Sequence, residues 1–161
     1  MHTTIAYRGD IADAHPSPSA APEVTDARCL VWSIDLTGVE RRREAGRLLR
    51  AGAAEALAAS GAYGDLRHLV LTYRGPDARR RSLRFTARGI ARRLHSELER
   101  TRGRYVDVVV IDLSGIDRRG LLAQRVDELA STGRGIVGYA AIPWEDLRGE
   151  SIRDTCTRDV I

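Results

Sequence analysis

The sequence contains no lysine, and all 26 of its basic residues are arginines. Together with the many alanines and glycines, this absence indicates a GC-rich coding bias. The number of arginines is therefore weak support for a nucleic-acid partner, even though the formal net charge is +4. Their distribution along the chain is more informative than their total.

Cysteines and long apolar runs are also scarce. The two cysteines, Cys29 and Cys156, are too few for a disulfide framework or a cysteine-based zinc site. No window approaches the roughly 18 apolar residues that a membrane span requires, and residues 1–15 lack the basic-then-apolar pattern of a secretory signal. We therefore expect a cytoplasmic protein with reduced thiols and no membrane partner.

The length of 161 residues and the 43% hydrophobic content suit one domain with a real core. Residues 15–22 are rich in Pro, Ser and Ala and predict a linker, so we assign 1–28 to a flexible N-terminal segment. A short edge strand over 3–7 is the alternative for its beginning. The domain is predicted over 29–143, with a polar C-terminal tail over 144–161.

Hydrophobic periodicity predicts strands that alternate with helices along the domain. The segment 105–113 is the most β-branched and apolar, which is typical of a central strand covered on both faces. The predicted strands are 29–36, 66–73, 105–113 and 136–142, and the predicted helices are 39–60, 86–101 and 117–131.

This alternation favours a three-layer α/β/α sandwich with a largely parallel, or mixed, sheet of four to five strands. Residues 80–85 leave an alternative open, because they suit either the start of the second helix or a short strand. As a strand they would give a ferredoxin-like βαββαβ unit with an appended helix and strand.

Two predicted strands end in nearly the same five residues, Ile-Asp-Leu-Thr-Gly at 34–38 and Ile-Asp-Leu-Ser-Gly at 111–115. In a parallel sheet, ligands bind beyond the carboxyl ends of the strands. Asp35 and Asp112 are then candidate Mg²⁺ ligands, and Thr37 and Ser114 candidate phosphate-binding hydroxyls. The alternative is that the hydroxyls cap the following helices. No Walker A loop or GxGxxG turn is present.

Arginines are concentrated between residues 74 and 104, a stretch that contains eleven arginines and three acidic residues. This segment carries a net charge of +8 and leaves −4 for the remainder of the chain. If the second helix begins early enough, four arginines and His95 share one stripe opposite its apolar face. The arginines of this candidate phosphate-binding stripe are Arg81, Arg84, Arg88 and Arg92.

These features predict a binding or regulatory module that engages a nucleotide or a nucleic acid through the basic helix. One alternative is an enzyme of Mg²⁺-dependent phosphoryl or nucleotidyl transfer, or a nuclease, that uses Asp35 and Asp112. Another is an interaction subunit that binds an acidic protein. The histidines and cysteines form no metal-binding or nucleophile motif, so whether the chain is an enzyme stays open.

Overall fold

A computed structural model describes residues 4–10, 26–75, 80–133, 135 and 137–158, without the side chains of residues 80–82. The predicted linker over 15–22 and the Arg81 side chain lie outside this description. No helix in the described part is long and apolar enough to cross a membrane.

Five parallel strands form one sheet whose spatial order follows the chain order. The strands are β1 (Ile5–Gly9), β2 (Cys29–Asp35), β3 (His68–Arg74), β4 (Asp107–Asp112) and β5 (Tyr139–Pro143). The described helices are α1 (Arg42–Ser60), α2 (Arg80–Arg102), α3 (Arg119–Ala130), α4 (Trp144–Leu147) and α5 (Ile152–Arg158).

The predicted three-layer α/β/α sandwich is confirmed, and the ferredoxin-like alternative is not observed. The sheet is parallel throughout, with helices on both of its faces. Residues 80–85, which the sequence left open, belong to α2. Leu83 decides between the two alternatives, because it continues the buried row of Ala87 and Ile90 at helical spacing.

Alternating side chains of the central strands enter two separate hydrophobic clusters. Val108 and Val110 of β4 pack with α1 and α2, whereas Val109 and Ile111 pack with α3 and α5. The whole of β4 is buried, including Asp107 and Asp112 at its two ends, as its apolar central run predicts.

The two connections that follow β3 differ in hand. Both β3–α2–β4 and β4–α3–β5 advance the chain by one strand in the same direction, but α2 and α3 lie on opposite faces. The crossovers therefore have opposite hands, although most parallel crossovers are right-handed. The second face of the sheet is covered because of this exception.

Residues 144–158 belong to the packed domain and do not form a polar tail. Trp144 and Leu147 of α4 and Ile152 and Cys156 of α5 are buried in the same cluster as α3. The Trp144 indole donates a hydrogen bond of 2.9 Å to Asp117, just before α3. At the other end of the chain, β1 pairs with β2 from Ile5 to Gly9.

Two helical glycines provide a matched test of this packing. A Cβ on Gly52 of α1 would lie 2.7 Å from Ile34 Cδ1 and 2.8 Å from Ile34 Cγ1, whereas a Cβ on Gly89 of α2 would meet nothing within 4 Å. We expect Gly52→Ala to destabilise the protein by about 1–3 kcal/mol through overpacking. Gly89→Ala should stabilise it by about 0.5–1 kcal/mol through helix propensity. Urea unfolding of both variants measures this, and equal shifts would contradict the packing of α1 on β2.

Candidate functional site

Asp35 and Asp112 end strands at the same edge of the sheet, but the structure does not bring them together. Strand β3 lies between them, with Arg74 opposite Asp35 and Tyr73 opposite Asp112. Their positions also fall on alternate faces, since Asp112 continues the row of Val108 and Val110 while Asp35 continues the row of Cys29 and Val31.

The Asp35 carboxylate forms a local turn at the surface. Its Oδ1 atom accepts hydrogen bonds from the Thr37 backbone N–H at 3.0 Å and the Thr37 hydroxyl at 2.8 Å. The backbone bond is the main cause that lowers the pKa of this exposed carboxyl below its usual range. Thr37 does not cap α1, because the helix begins after Arg41, which makes no side-chain capping bond.

The second half of the repeat is buried and joins two strand ends. Asp112 accepts a 2.9 Å hydrogen bond from the Ser114 N–H. The Ser114 hydroxyl accepts from the Gly75 N–H at 3.2 Å and donates to the Gly75 carbonyl at 3.1 Å. Burial, followed by the charge of Asp112, raises the pKa of Tyr73 well above its usual value. Ser114 is therefore a clamp between the ends of β3 and β4, and α3 begins after Arg118 instead.

A metal centre is not apparent in the described part of the chain. No group of three or more His, Cys, Asp or Glu side chains there could hold an ion. The phosphate-binding role of Thr37 and Ser114 and the metal role of Asp35 and Asp112 gain no support from this arrangement.

The exposed side of α2 carries the predicted arginine stripe. Arg84, Arg88 and Arg92 are exposed, while the apolar face of the helix is buried at Leu83, Ile90, Leu94 and Leu98. This confirms the predicted orientation of the helix. His95 lies at the end of the stripe but is buried, which the sequence did not predict.

Helix α1, which packs beside α2, adds four exposed arginines that the sequence did not predict to belong to the site. We define the arginine surface as the exposed side chains of Arg42, Arg43, Arg47, Arg50, Arg84, Arg88, Arg92 and Arg93. Within residues 42–54 and 83–96 the only acidic residue is Glu44. The outer side of the α1/α2 layer is therefore strongly cationic.

In the described part of the chain, the arginine surface lacks the carboxylate partners that several other arginines have. None of its eight side chains forms an ion pair with a residue that the structure describes. By contrast, Arg100 pairs with Glu97, Arg125 with Glu128, and Arg148 with Asp117. Uncompensated charge of one sign attracts a partner of the opposite sign.

A groove runs between α1 and α2 within this surface. One part, of about 210 Å³, is lined by Arg42, Arg43, Gly46, Arg50, Leu83 and Thr86. The adjoining part, of about 390 Å³, is lined by Arg50, Phe85, Thr86, Gly89, Ile90 and Arg93. The two parts share Arg50 and Thr86 and therefore lie next to each other.

Phe85, the only phenylalanine in the chain, is 84% exposed at this groove. An aromatic ring so open to water, with Arg50 and Arg93 around it, is suited to stack on a planar ligand. The signal in the sequence is its position two residues after Leu83, outside the buried helical row. The exposure of Phe85 could not be predicted from this position, because residues 80–85 suited either a helix or a strand.

A wider cleft of about 510 Å³ lies at the opposite end of the same layer. Its arginines already have protein partners, since Arg104 pairs with Asp65 and Arg102 donates to the Ser60 and Tyr63 carbonyls at the end of α1. This cleft is therefore a structural junction between α1 and α2.

Comparisons with protein-family models, with curated proteins and with solved structures found no match to this chain.

The repeat offers a direct test of the clamp assignment. Ser114→Ala removes the buried partner of both the N–H and the carbonyl of Gly75, so we expect a loss of about 1–3 kcal/mol in the free energy of unfolding. Thr37→Ala, at the exposed turn, should cost less than about 0.5 kcal/mol. Chemical denaturation of both variants measures the difference, and equal losses would mean that the two turns have the same role.

Proposed function

We propose that this protein binds single-stranded nucleic acid on the arginine surface of the α1/α2 layer. The main support for this proposal is the arginine surface, whose eight exposed side chains form no ion pair with a described residue. Each guanidinium presents a planar fork of donors that matches phosphate oxygens. A nucleic acid supplies a repeating row of such phosphates.

The spread of the arginines favours a polymer over a free nucleotide. Arg84 and Arg92 are eight positions apart, which at 1.5 Å per residue is about 12 Å of helix, and α1 adds a second row beside it. One nucleotide could engage only part of this area. A strand can neutralise several arginines together and release counterions along its length.

The exposed Phe85 favours a single strand over a duplex. Bases stack on aromatic side chains only when they are unpaired, and this contact is tolerant of sequence. Binding through phosphates and stacking predicts little sequence preference and a strong dependence on salt.

The two alternatives from the sequence, an Mg²⁺-dependent enzyme and a partner of acidic proteins, have less support than single-strand binding. Enzymatic phosphoryl or nucleotidyl transfer would need paired carboxylates, and Asp35 and Asp112 fall on alternate faces with β3 between them. An acidic protein would match the charge of the surface but would not account for the exposed ring of Phe85.

Charge reversal at the stripe tests the proposal. We expect Arg88→Glu combined with Arg92→Glu to weaken binding of a fluorescein-labelled oligouridylate by about tenfold or more, because two phosphate contacts become repulsive. The measurement is fluorescence anisotropy at two salt concentrations. Both arginines are exposed, so thermal unfolding should change little.

A second double variant, Arg118→Glu with Arg153→Glu, has the same net charge but alters the opposite side of the sheet. It should retain affinity within about threefold, because these arginines lie away from the proposed strand. Equal loss in both double variants would show that only total charge matters. Binding of polyglutamate, without binding of oligouridylate by the parent, would favour the acidic protein partner instead.

A further inference from the structure

A small pocket lies between α2 and the edge strand β5, beside the arginine stripe. Its volume is about 260 Å³, and its lining includes Arg88, His95, Tyr105, Gly138 and Tyr139. Arg88 belongs to both the arginine surface and the pocket. A strand bound along the stripe therefore passes the mouth of this pocket.

The imidazole of His95 is held in one orientation inside the pocket. Its Nδ1 atom lies 2.8 Å from the Val106 carbonyl oxygen. A carbonyl can only accept, so Nδ1 carries the hydrogen, and the neutral ring presents a lone pair at Nε2. The described residues offer Nε2 no hydrogen-bond partner.

Two tyrosine rings stand against the imidazole and remain open to solvent. The Tyr105 ring meets His95 edge to face, with centroids 4.7 Å apart, and the Tyr139 ring is tilted at 5.8 Å. Tyr105 is 38% exposed and Tyr139 is 41% exposed. Such rings offer flat apolar surface together with a polar group.

The wall that contains Gly138 is held by a buried polar network. The Asp107 carboxylate accepts hydrogen bonds from the N–H groups of Val137 at 3.3 Å and Gly138 at 2.8 Å. Its second oxygen lies 3.2 Å from His68 Nδ1, and both side chains are fully buried. Gly138 has a φ of +71°, and a Cβ there would come 3.3 Å from the Tyr105 hydroxyl. The pocket is therefore preformed and depends on a glycine.

We propose that this pocket receives one unstacked base of the strand that binds the arginine surface. The inference rests on the proposed function and extends it to a base-binding site. The volume falls below the 300–1,000 Å³ of pockets that hold a whole drug-sized ligand, which suits a planar base with its phosphate outside on Arg88. The base stacks on the tyrosines, and an N–H on its edge donates to Nε2 of His95.

The test compares an oligouridylate with an abasic oligomer of the same length and charge. We expect the parent protein to bind the base-containing strand about tenfold more tightly. Tyr139→Leu should lose a measurable part of this preference, about threefold, while stacking on Phe85 retains the remainder and the affinity for the abasic strand stays the same. Tyr139→Phe retains the stacking surface and should keep the preference. Tyr139 is partly exposed, so these variants should leave the fold intact.

The outcomes separate this inference from the proposed function. A preference that is unchanged in Tyr139→Leu would overturn the base pocket while leaving strand binding in place. Failure of the parent to bind either oligomer would overturn the proposed function and the pocket with it. An equal loss of affinity for both oligomers in Tyr139→Leu would also overturn the pocket, because a stacking contact cannot act on a strand without bases.

Discussion

The central strands carry apolar side chains on both faces, and the rest of the fold depends on covering both. In β4, Val109 and Val110 point into different clusters, one beneath α3 and the other beneath α1 and α2. The strands follow each other across the sheet in chain order. With crossovers of one hand, all helices between them would lie on one face. The change of hand at α3, with α4 and α5 after it, removes the second face from water.

Because α1 and α2 bury only their inner sides against the sheet, the outer side of the α1/α2 layer does not contribute to the core. Its inner side supplies Ala45, Leu49, Ala87 and Leu94 to the core, while its outer side carries the arginines and Phe85. On the opposite layer, Arg125 and Arg158 are held by acidic neighbours. By contrast, the eight side chains of the arginine surface form no ion pair with a described residue.

Much of the fold was predictable because periodicity directly reports which side of an element is buried. Helix α2 is the clearest case, because the arginine stripe was predicted to lie opposite an apolar face, and Leu83, Ile90 and Leu94 of that face are buried. The tail was not predictable in this way. Trp144, Leu147, Ile152 and Cys156 are spread among charged residues over two short helices, so no periodic pattern marks their burial.

The candidate site was less predictable, because it depends on which elements become neighbours. Two strands with the same ending indicated a shared edge, but the sequence does not state that β3 separates Asp35 from Asp112 or that they occupy alternate faces. Likewise, the contribution of Arg42 and Arg50 follows only from the packing of α1 beside α2. The burial of His95 was unpredictable for the same reason, because it depends on β5 and Tyr105, which cover one end of an otherwise exposed stripe.

The location of the bound strand is the most direct test of this account. Backbone amide chemical shifts of the ¹⁵N-labelled full chain can be followed during titration with an unlabelled oligouridylate. We expect the largest changes on residues 42–50 and 84–93, with residues 119–130 and 152–158 almost unchanged. Saturable changes confined to α3 and α5, or no changes at low salt, would contradict it.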